Sequence, residues 1–135
     1  MKQDMKNEFI YIFLGGGTGS VLRYAIQLFL HERITPYHFP WSTLTVNLTG
    51  SLLIGAFYTL SAHLGLSNET RLLLTTGLCG GFTTFSTFSQ DSVLLLKQGY
   101  YGSLTLYLLL SLVLGIGAAF LGAILAENCI LWKKN

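Results

Sequence analysis

The sequence predicts an all-α integral membrane protein with four transmembrane helices. Of its 135 residues, 51% are hydrophobic and only 10% are charged, and the mean hydropathy is +0.54. Soluble domains carry about 25% charged residues, so the composition lies outside their range. A bilayer core about 30 Å thick takes roughly 20 apolar residues per helix. The chain is therefore long enough for four spans joined by short loops, in a single domain covering residues 1–135.

The positions of the charges set the limits of the spans. Charged residues precede, separate or follow the apolar runs: Lys2, Asp4, Lys6, Glu8, Glu32, Arg33, Glu69, Arg71, Lys97, Glu127, Lys133 and Lys134. This predicts spans at 9–31, 40–63, 71–96 and 102–127. Apart from residues at the ends of the spans, the only charged residues within them are Arg23 and Asp91, and Asp91 lies toward the end of its own span. The net charge of +2 is too small and dispersed to indicate a nucleic-acid partner.

The first span contains "GGGTGSVLRY", which has no nucleotide-loop spacing. Gly15 and Gly19 form a GxxxG pair that allows another helix to approach closely. Arg23 at a span centre costs about 2.5–3.5 kcal/mol on insertion scales. It should therefore face protein or a watery vestibule, and snorkelling to the nearer surface is the alternative. A cleaved signal peptide is not expected, because no A-x-A-like site follows "FIYIFL".

The second span begins at Pro40 and Trp41, a helix start beside an interfacial aromatic. Thr43, Asn47 and Ser51 follow at four-residue spacing and give the helix a polar face. An amide inside hydrocarbon needs partners, so Asn47 either bridges two helices or offers its NH₂ donors to something that passes it.

The third span contains "GLCGGFTTFSTFSQD", residues 77–91, which is too polar to face lipid. Its glycines predict a break in the helix near Gly80–Thr83, where hydroxyl side chains could satisfy freed backbone groups. Freed carbonyls are ligands for a hard cation such as Na⁺. After the break, Phe85 and Phe88 share a face. Packing is the usual role of such rings, but ring edges carry positive charge and can attract an anion.

The fourth span carries Ser103, Tyr107 and Ser111 at four-residue spacing, and hydroxyls that bond back to their own helix are the alternative interpretation. Three spans thus offer uncharged donors, without a catalytic pair or metal-ligand spacing. Donors without bases favour an anion pathway over an enzyme. A proton-coupled drug exporter is the main rival, and it needs a carboxylate in mid-membrane. Asp91 lies too near a helix end for that role.

Taken together, "GGGTGSVLRY", "TLTVNLTGS" and "GLCGGFTTFSTFS", in this order on four spans, resemble the Fluc (CrcB) fluoride channels. The resemblance implies a multi-pass protein of a prokaryotic plasma membrane that exports fluoride passively as an antiparallel dimer. It also implies a structural Na⁺ at the dimer centre, held by the carbonyls of Gly80 and Thr83. The residues implied for the fluoride pathway are Asn47, Phe85, Phe88, Tyr107 and Ser111. Arg23 corresponds to a vestibular arginine, and Gly115 stands where a further hydroxyl could extend the polar track.

The charge distribution leaves the composition of the dimer open. Lys2, Lys6, Arg71, Lys133 and Lys134 lie on one predicted side of the membrane, against Arg33 and Lys97 on the other. This excess favours both termini inside, whereas a subunit that inserts both ways should show little bias. The chain is therefore expected to form either a homodimer or one half of a heterodimer with an oppositely inserted homologue.

Overall fold

The computed structural model describes the backbone of residues 2–34 and 39–134, and side chains within 6–30 and 39–132. The described backbone is helical, without strands. The helices are α1 Lys2–Ile34, α2 Trp41–Leu64, α3 Asn68–Leu72, a π-helix Leu73–Cys79, α4 Gly80–Phe82, α5 Phe85–Lys97 and α6 Tyr101–Lys134. Several side chains used in the charge count lie outside the described ones: Lys2, Arg33, Lys133 and Lys134.

Among the described residues, three helices are long and apolar enough to cross a membrane: Lys6–Leu30, Trp41–Leu64 and Tyr101–Trp132. They correspond to the first, second and fourth predicted spans, and the all-α membrane class is confirmed at this level. Residues 68–97, here called the interrupted segment, consist of shorter helices that pack mainly against α1. A fourth crossing by this segment stays a prediction.

Large apolar side chains cover the outside of the molecule. Phe13, Phe120 and Trp132 are 77%, 70% and 81% exposed, whereas the buried core centres on Leu44, Leu95 and Tyr107. A soluble domain would bury such side chains, since each is worth about 1.5–3 kcal/mol on burial. This distribution suits a surface that lipid or a partner chain covers.

Glycines allow two close helix crossings. A methyl group on Gly15 or Gly19 would overlap the backbone of Leu73 or Leu78, so the GxxxG pair of α1 contacts the π-helix directly. A second crossing joins α2 to α6, where a methyl group on Gly122 would overlap the Leu52 carbonyl. Gly17 and Gly115 have open space around them and serve neither crossing.

The interrupted segment breaks at Thr83 and Thr84 and not at its glycines. Thr83 (φ −75°, ψ 156°) and Thr84 (φ −146°, ψ 111°) are extended, and α5 starts at Phe85. Gly80 is helical (φ −64°, ψ −39°). The interpretation that the glycines open the helix was wrong: a methyl group on Gly81 would overlap the Gly16 carbonyl, so this glycine is needed for packing against α1.

The π-helix Leu73–Cys79, immediately before the break, was not predicted. π-Helical turns are rare and add a residue to each turn, which changes the direction of the side chains that follow. Thr75, Gly77 and Cys79 are buried within it. Its position next to the break makes the whole stretch from Leu73 to Thr84 irregular, which in a membrane requires protein or a cavity around it.

Candidate functional site

The side chain of Asn47 on α2 bonds both backbone groups of Thr84 at the break. Asn47 Oδ1 accepts from the Thr84 N–H at 2.8 Å, and Asn47 Nδ2 donates to the Thr84 carbonyl at 3.1 Å. The side-chain amide thus accepts from the backbone N–H and donates to the backbone carbonyl of the same residue, as a residue of a neighbouring β-strand would. Asn47 is therefore a bridge between helices, and the second N–H of its NH₂ group is left for another acceptor.

Threonine side chains support the break on the interrupted segment itself. Thr84 caps α5, since its hydroxyl oxygen accepts from the Thr87 N–H at 3.1 Å. Its own hydroxyl donates to Thr87 Oγ1 at 2.9 Å. On the other side, the Thr83 hydroxyl donates to the Cys79 carbonyl at 2.9 Å. The Thr84 hydroxyl thus satisfies a backbone N–H that the start of α5 exposes, as predicted from the composition of this stretch. The Cys79 carbonyl also accepts from the Thr83 N–H, so the Thr83 hydroxyl adds a second bond to a carbonyl that is already paired.

Arg23 and Ser20 of α1 reach the same break. Arg23 is half-buried, and its Nη1 lies 3.4 Å from the Thr83 carbonyl. Ser20 donates to the Gly81 carbonyl, also at 3.4 Å. Both contacts are long, yet they place a cation and a hydroxyl of α1 next to backbone oxygens of the interrupted segment. Arg23 therefore faces protein here.

A cavity of about 400 Å³ opens beside the break. Four of the five residues expected to form the fluoride pathway line it together, and Tyr107 does not. The lining residues are Asn47, Ser51, Ile54, Thr83, Thr84, Phe85, Phe88, Leu108, Ser111 and Leu112. None of them carries a charge, so the walls combine uncharged hydrogen-bond donors with apolar and aromatic surface.

Two hydroxyls in this cavity lack protein partners. Ser111 Oγ is buried and makes no hydrogen bond within the described part of the chain. The Ser51 hydroxyl also makes none there. A buried hydroxyl without a partner costs about 1–3 kcal/mol, so such groups are rare unless something else occupies the site. The alternative interpretation for Ser111 was a hydrogen bond back to its own helix. Neither hydroxyl makes such a bond.

The two phenylalanines lie in different environments. Phe85 is 79% exposed, and its ring centroid lies 5.6 Å from that of Phe88. Phe88 packs on Tyr107 with centroids 5.1 Å apart. Phe88 therefore both packs and lines the cavity, whereas Phe85 lines the cavity with a ring that is mostly exposed.

Tyr107 lies behind Phe88 and not on the cavity wall. Its side chain is fully buried, and its ring meets Phe39 edge-on at 5.7 Å. The phenol oxygen is 3.4 Å from Asp91 Oδ2, a long hydrogen bond that directs the O–H away from the cavity. In this conformation Tyr107 holds the Phe88 ring, and direct contact with an ion at the cavity stays a prediction.

The two carbonyls expected to hold Na⁺ differ in how well they fit it. In a continuous helix the Gly80 carbonyl would accept from the Thr84 N–H, but that N–H donates to Asn47 instead. Gly80 therefore offers the kind of freed carbonyl that a hard cation binds. The Thr83 carbonyl accepts from Arg23 at 3.4 Å and is shared with a cationic side chain.

Long apolar helices around a cavity of uncharged donors define a membrane transport protein. The family comparison is more specific: residues 10–123 match the model described as "CrcB-like protein, Camphor Resistance (CrcB)". The chain belongs to this family, which confirms the resemblance found in its motifs.

Relatives named "Fluoride-specific ion channel FluC" cover most of this chain. One from Bacteroides fragilis is 54% identical over 123 residues, which are 90% of this chain and 97% of that protein. One from Phocaeicola vulgatus is 52% identical over 118 residues, 87% of this chain and 97% of its own length. One from Leptospira interrogans is 42% identical over 126 residues, covering 93% and 98%. These names describe channels, in agreement with the expectation that this chain is not an enzyme.

Sequence reasoning missed the part that Thr84 plays. Threonine is a preferred N-cap residue, and Thr84 stands directly before the first residue of α5. That preference could have placed the break one residue beyond the predicted range. Ser51 was placed on the polar face of α2 but not in the pathway, and the structure adds it to the cavity.

Proposed function

We propose that this chain is a fluoride channel and that fluoride passes through the cavity beside the break. The observation that carries this assignment is the unpaired Ser111 hydroxyl, buried in a cavity whose lining residues are uncharged. Family membership and the printed names of the relatives support the same function.

The cavity offers fluoride replacements for its water shell. Ser51, Ser111 and the free N–H of Asn47 are donors, and the edges of Phe85 and Phe88 carry partial positive charge. A small anion loses strong hydration when it enters a pore, and closely spaced donors can compensate. Without a fixed positive charge the anion is held weakly, which conduction requires because the ion must also leave.

The physiological direction is outward. Hydrogen fluoride is a weak acid that crosses membranes as a neutral molecule and ionises in a near-neutral cytoplasm, where the anion accumulates. A passive channel in the plasma membrane releases that anion without an energy source. The chain then lowers fluoride toxicity.

A second subunit completes the pathway, and the interrupted segment forms the fourth span. Phe85 is 79% exposed and projects from the molecule beside the cavity, so one wall is open within a single copy. In an antiparallel dimer a second copy would cover this wall and give two equivalent pathways. The irregular backbone from Leu73 to Thr84 would then be enclosed in protein, as a membrane requires.

Sodium would lie at the centre of this dimer. The carbonyls of Gly80 and Thr83 from two copies would supply four oxygens, the ligand type that hard cations prefer. The role of Na⁺ would be structural, because the cation would neutralise the carbonyl dipoles that meet at the dimer axis. Replacing Na⁺ by choline should lower the thermal stability of the purified dimer. Equal stability in both salts would contradict this site.

The excess of positive charge on one side favours a second composition, in which this chain pairs with an oppositely inserted homologue. A drug exporter is disfavoured by the site. The carboxylate of Asp91 contacts Tyr107, and the cavity-lining residues include no carboxylate.

The decisive experiment is anion efflux from liposomes that contain only this purified chain, followed in Na⁺ buffer with a fluoride electrode for fluoride and a chloride electrode for chloride. Chloride-loaded liposomes are the control for selectivity. Fast efflux of fluoride but not of chloride would support both the function and a competent homodimer. Absence of efflux from well-folded protein would exclude a homodimeric channel, and co-expression with an oppositely biased homologue would then test the heterodimer.

A further inference from the structure

A second cavity lies away from the fluoride pathway, at the end of α2. Its volume is about 300 Å³, at the lower end of the range of about 300–1,000 Å³ for small-ligand sites. Its lining residues are Tyr58, Ser61, Ala62, Leu66, Asn68 and Arg71. No residue is shared with the first cavity, so the two sites are independent.

The position of this cavity in the fold is expected to place it near lipid head groups. Tyr58 and Ser61 occupy the last two turns of α2, a helix long enough to cross the bilayer, and Asn68 and Arg71 lie on α3 immediately after the turn at Gly65. The end of a membrane-spanning helix meets the interface between hydrocarbon and water. A polar cavity here adjoins the layer that contains lipid phosphates.

The cavity combines one positive charge with free hydroxyl donors. Arg71 makes no ion pair within the described part of the chain. One of its nitrogens, Nη2, donates to Asn68 Oδ1 at 2.8 Å. The hydroxyls of Tyr58 and Ser61 make no hydrogen bond there. A guanidinium with unused N–H groups beside two hydroxyls suits an oxyanion with several acceptor oxygens.

Asn68 fixes the position of the arginine. Its Nδ2 donates to Glu8 Oε1 of α1 at 2.6 Å, while its Oδ1 accepts from Arg71. The Glu8 carboxylate is thus engaged by the amide and does not line the cavity. This arrangement ties α1 to α3 and leaves the guanidinium as the charged group on the cavity wall.

We propose that this cavity binds the phosphate of a membrane phospholipid, with Arg71 as the charged contact and Tyr58 and Ser61 as hydroxyl donors. The site holds the head group at the end of α2 and does not take part in fluoride conduction. The inference rests on the membrane-spanning fold and not on the proposed fluoride pathway.

The test uses native mass spectrometry of the full chain with two defined neutral lipids. Phosphatidylcholine contains a phosphate but has no net charge, and glucosyl diacylglycerol is uncharged and contains no phosphate. General attraction of anionic lipid to a basic surface therefore does not contribute to the comparison. We expect phosphatidylcholine to stay bound and the glucolipid to dissociate. Arg71→Gln should weaken phosphatidylcholine binding about tenfold, as expected for loss of hydrogen bonds from a charged donor. Equal retention of both lipids would overturn the proposal.

Two variants separate the site from other effects. Lys6→Gln removes a positive charge of α1 outside the cavity and should leave phosphatidylcholine binding unchanged. Tyr58→Phe removes only a hydroxyl and should weaken binding even if Arg71→Gln fails to fold. A loss of the same size in Lys6→Gln and Arg71→Gln, or no loss in Tyr58→Phe and Arg71→Gln, would contradict the site.

Inorganic phosphate distinguishes the two possible sources of the ligand. Added to the complex, it should displace little phosphatidylcholine, because free phosphate lacks the acyl chains that hold the lipid at the interface. Efficient displacement would show a site for free phosphate and would overturn the lipid assignment. Fluoride efflux should be unchanged in Tyr58→Phe, so failure of this proposal and failure of the fluoride pathway give different results.

Discussion

At the residue scale, the side-chain amide of Asn47 both bonds the break and lines the cavity. Its oxygen and one N–H pair with the Thr84 peptide group, and its other N–H makes no hydrogen bond within the described part of the chain. The same side chain therefore holds the break in place and, in the proposed pathway, also offers a donor to the ion. The two interpretations of Asn47 that the sequence allowed, a helix bridge and a donor to a passing ion, are compatible because an amide has two N–H groups.

Asn47→Asp should reduce fluoride efflux at least about tenfold, which corresponds to a free-energy change of about 1.4 kcal/mol. The carboxylate can still accept from the Thr84 N–H, but it cannot donate to the Thr84 carbonyl and its charge repels the anion. Electrode-monitored efflux from liposomes measures the change. Asn128→Asp, the same substitution at an exposed site on α6, is the matched control and should conduct normally. Efflux of Asn47→Asp at the control rate would exclude Asn47 from the pathway.

Ser111→Ala should separate function from stability. Because Ser111 Oγ is buried without a protein partner, removing it relieves a cost of about 1–3 kcal/mol, so thermal stability should stay equal or rise. Fluoride loses a donor, and efflux should fall about tenfold.

The matched control is Thr105→Val, also on α6, where the exposed hydroxyl bonds to its own helix at the Tyr101 carbonyl. It should leave efflux unchanged. Full efflux in Ser111→Ala would exclude this hydroxyl from the pathway. A clear loss of thermal stability would show that the hydroxyl has a structural partner.

At the scale of elements, the sequence predicted three helices well and the interrupted segment only in part. Long apolar runs between charges determine where α1, α2 and α6 lie, because the bilayer sets their length. The break was expected near Gly80–Thr83, yet it lies at Thr83–Thr84. Glycine in a membrane helix serves either flexibility or close packing, and the choice depends on which helix lies opposite.

The site was predicted to a similar degree. Asn47, Phe85, Phe88 and Ser111 converge on one cavity as their motifs indicated. Tyr107 shares the helix face of Ser111 in the sequence, but it lies behind Phe88. Spacing alone gives the face of a helix and not the depth at which a large ring settles between neighbours.

Gly19→Ala tests the crossing of α1 with the π-helix. The added methyl would overlap the Leu78 carbonyl, and overpacking of this kind costs about 1–3 kcal/mol. We expect a lower temperature of unfolding for the purified protein. The measurement is the temperature at which its monodisperse size-exclusion peak is lost on heating. Gly17→Ala lies on the same helix with open space around it and should be neutral. Equal effects of the two substitutions would mean that helix propensity, and not the crossing, determines the result.

At the scale of the whole molecule, the exposed surface and the charge distribution make opposing demands. In the proposed antiparallel dimer, a second subunit in the opposite orientation would cover the open cavity and the exposed Phe85. The charges, five against two on the predicted sides, favour one orientation for every copy. A homodimer can form only if this bias is weak enough for a fraction of the chains to insert the other way.

A C-terminal topology reporter resolves this conflict. For the homodimer we expect signal from both sides of the membrane, with the larger share inside, because each positive charge biases insertion without fixing it. Replacing Lys133 and Lys134 by glutamine should move the two shares toward equality, and Lys6→Gln alone should do so less. Signal from the inside only, combined with no efflux from the purified chain, would contradict the homodimer. The conducting unit would then need an oppositely inserted homologue to close the wall beside Phe85.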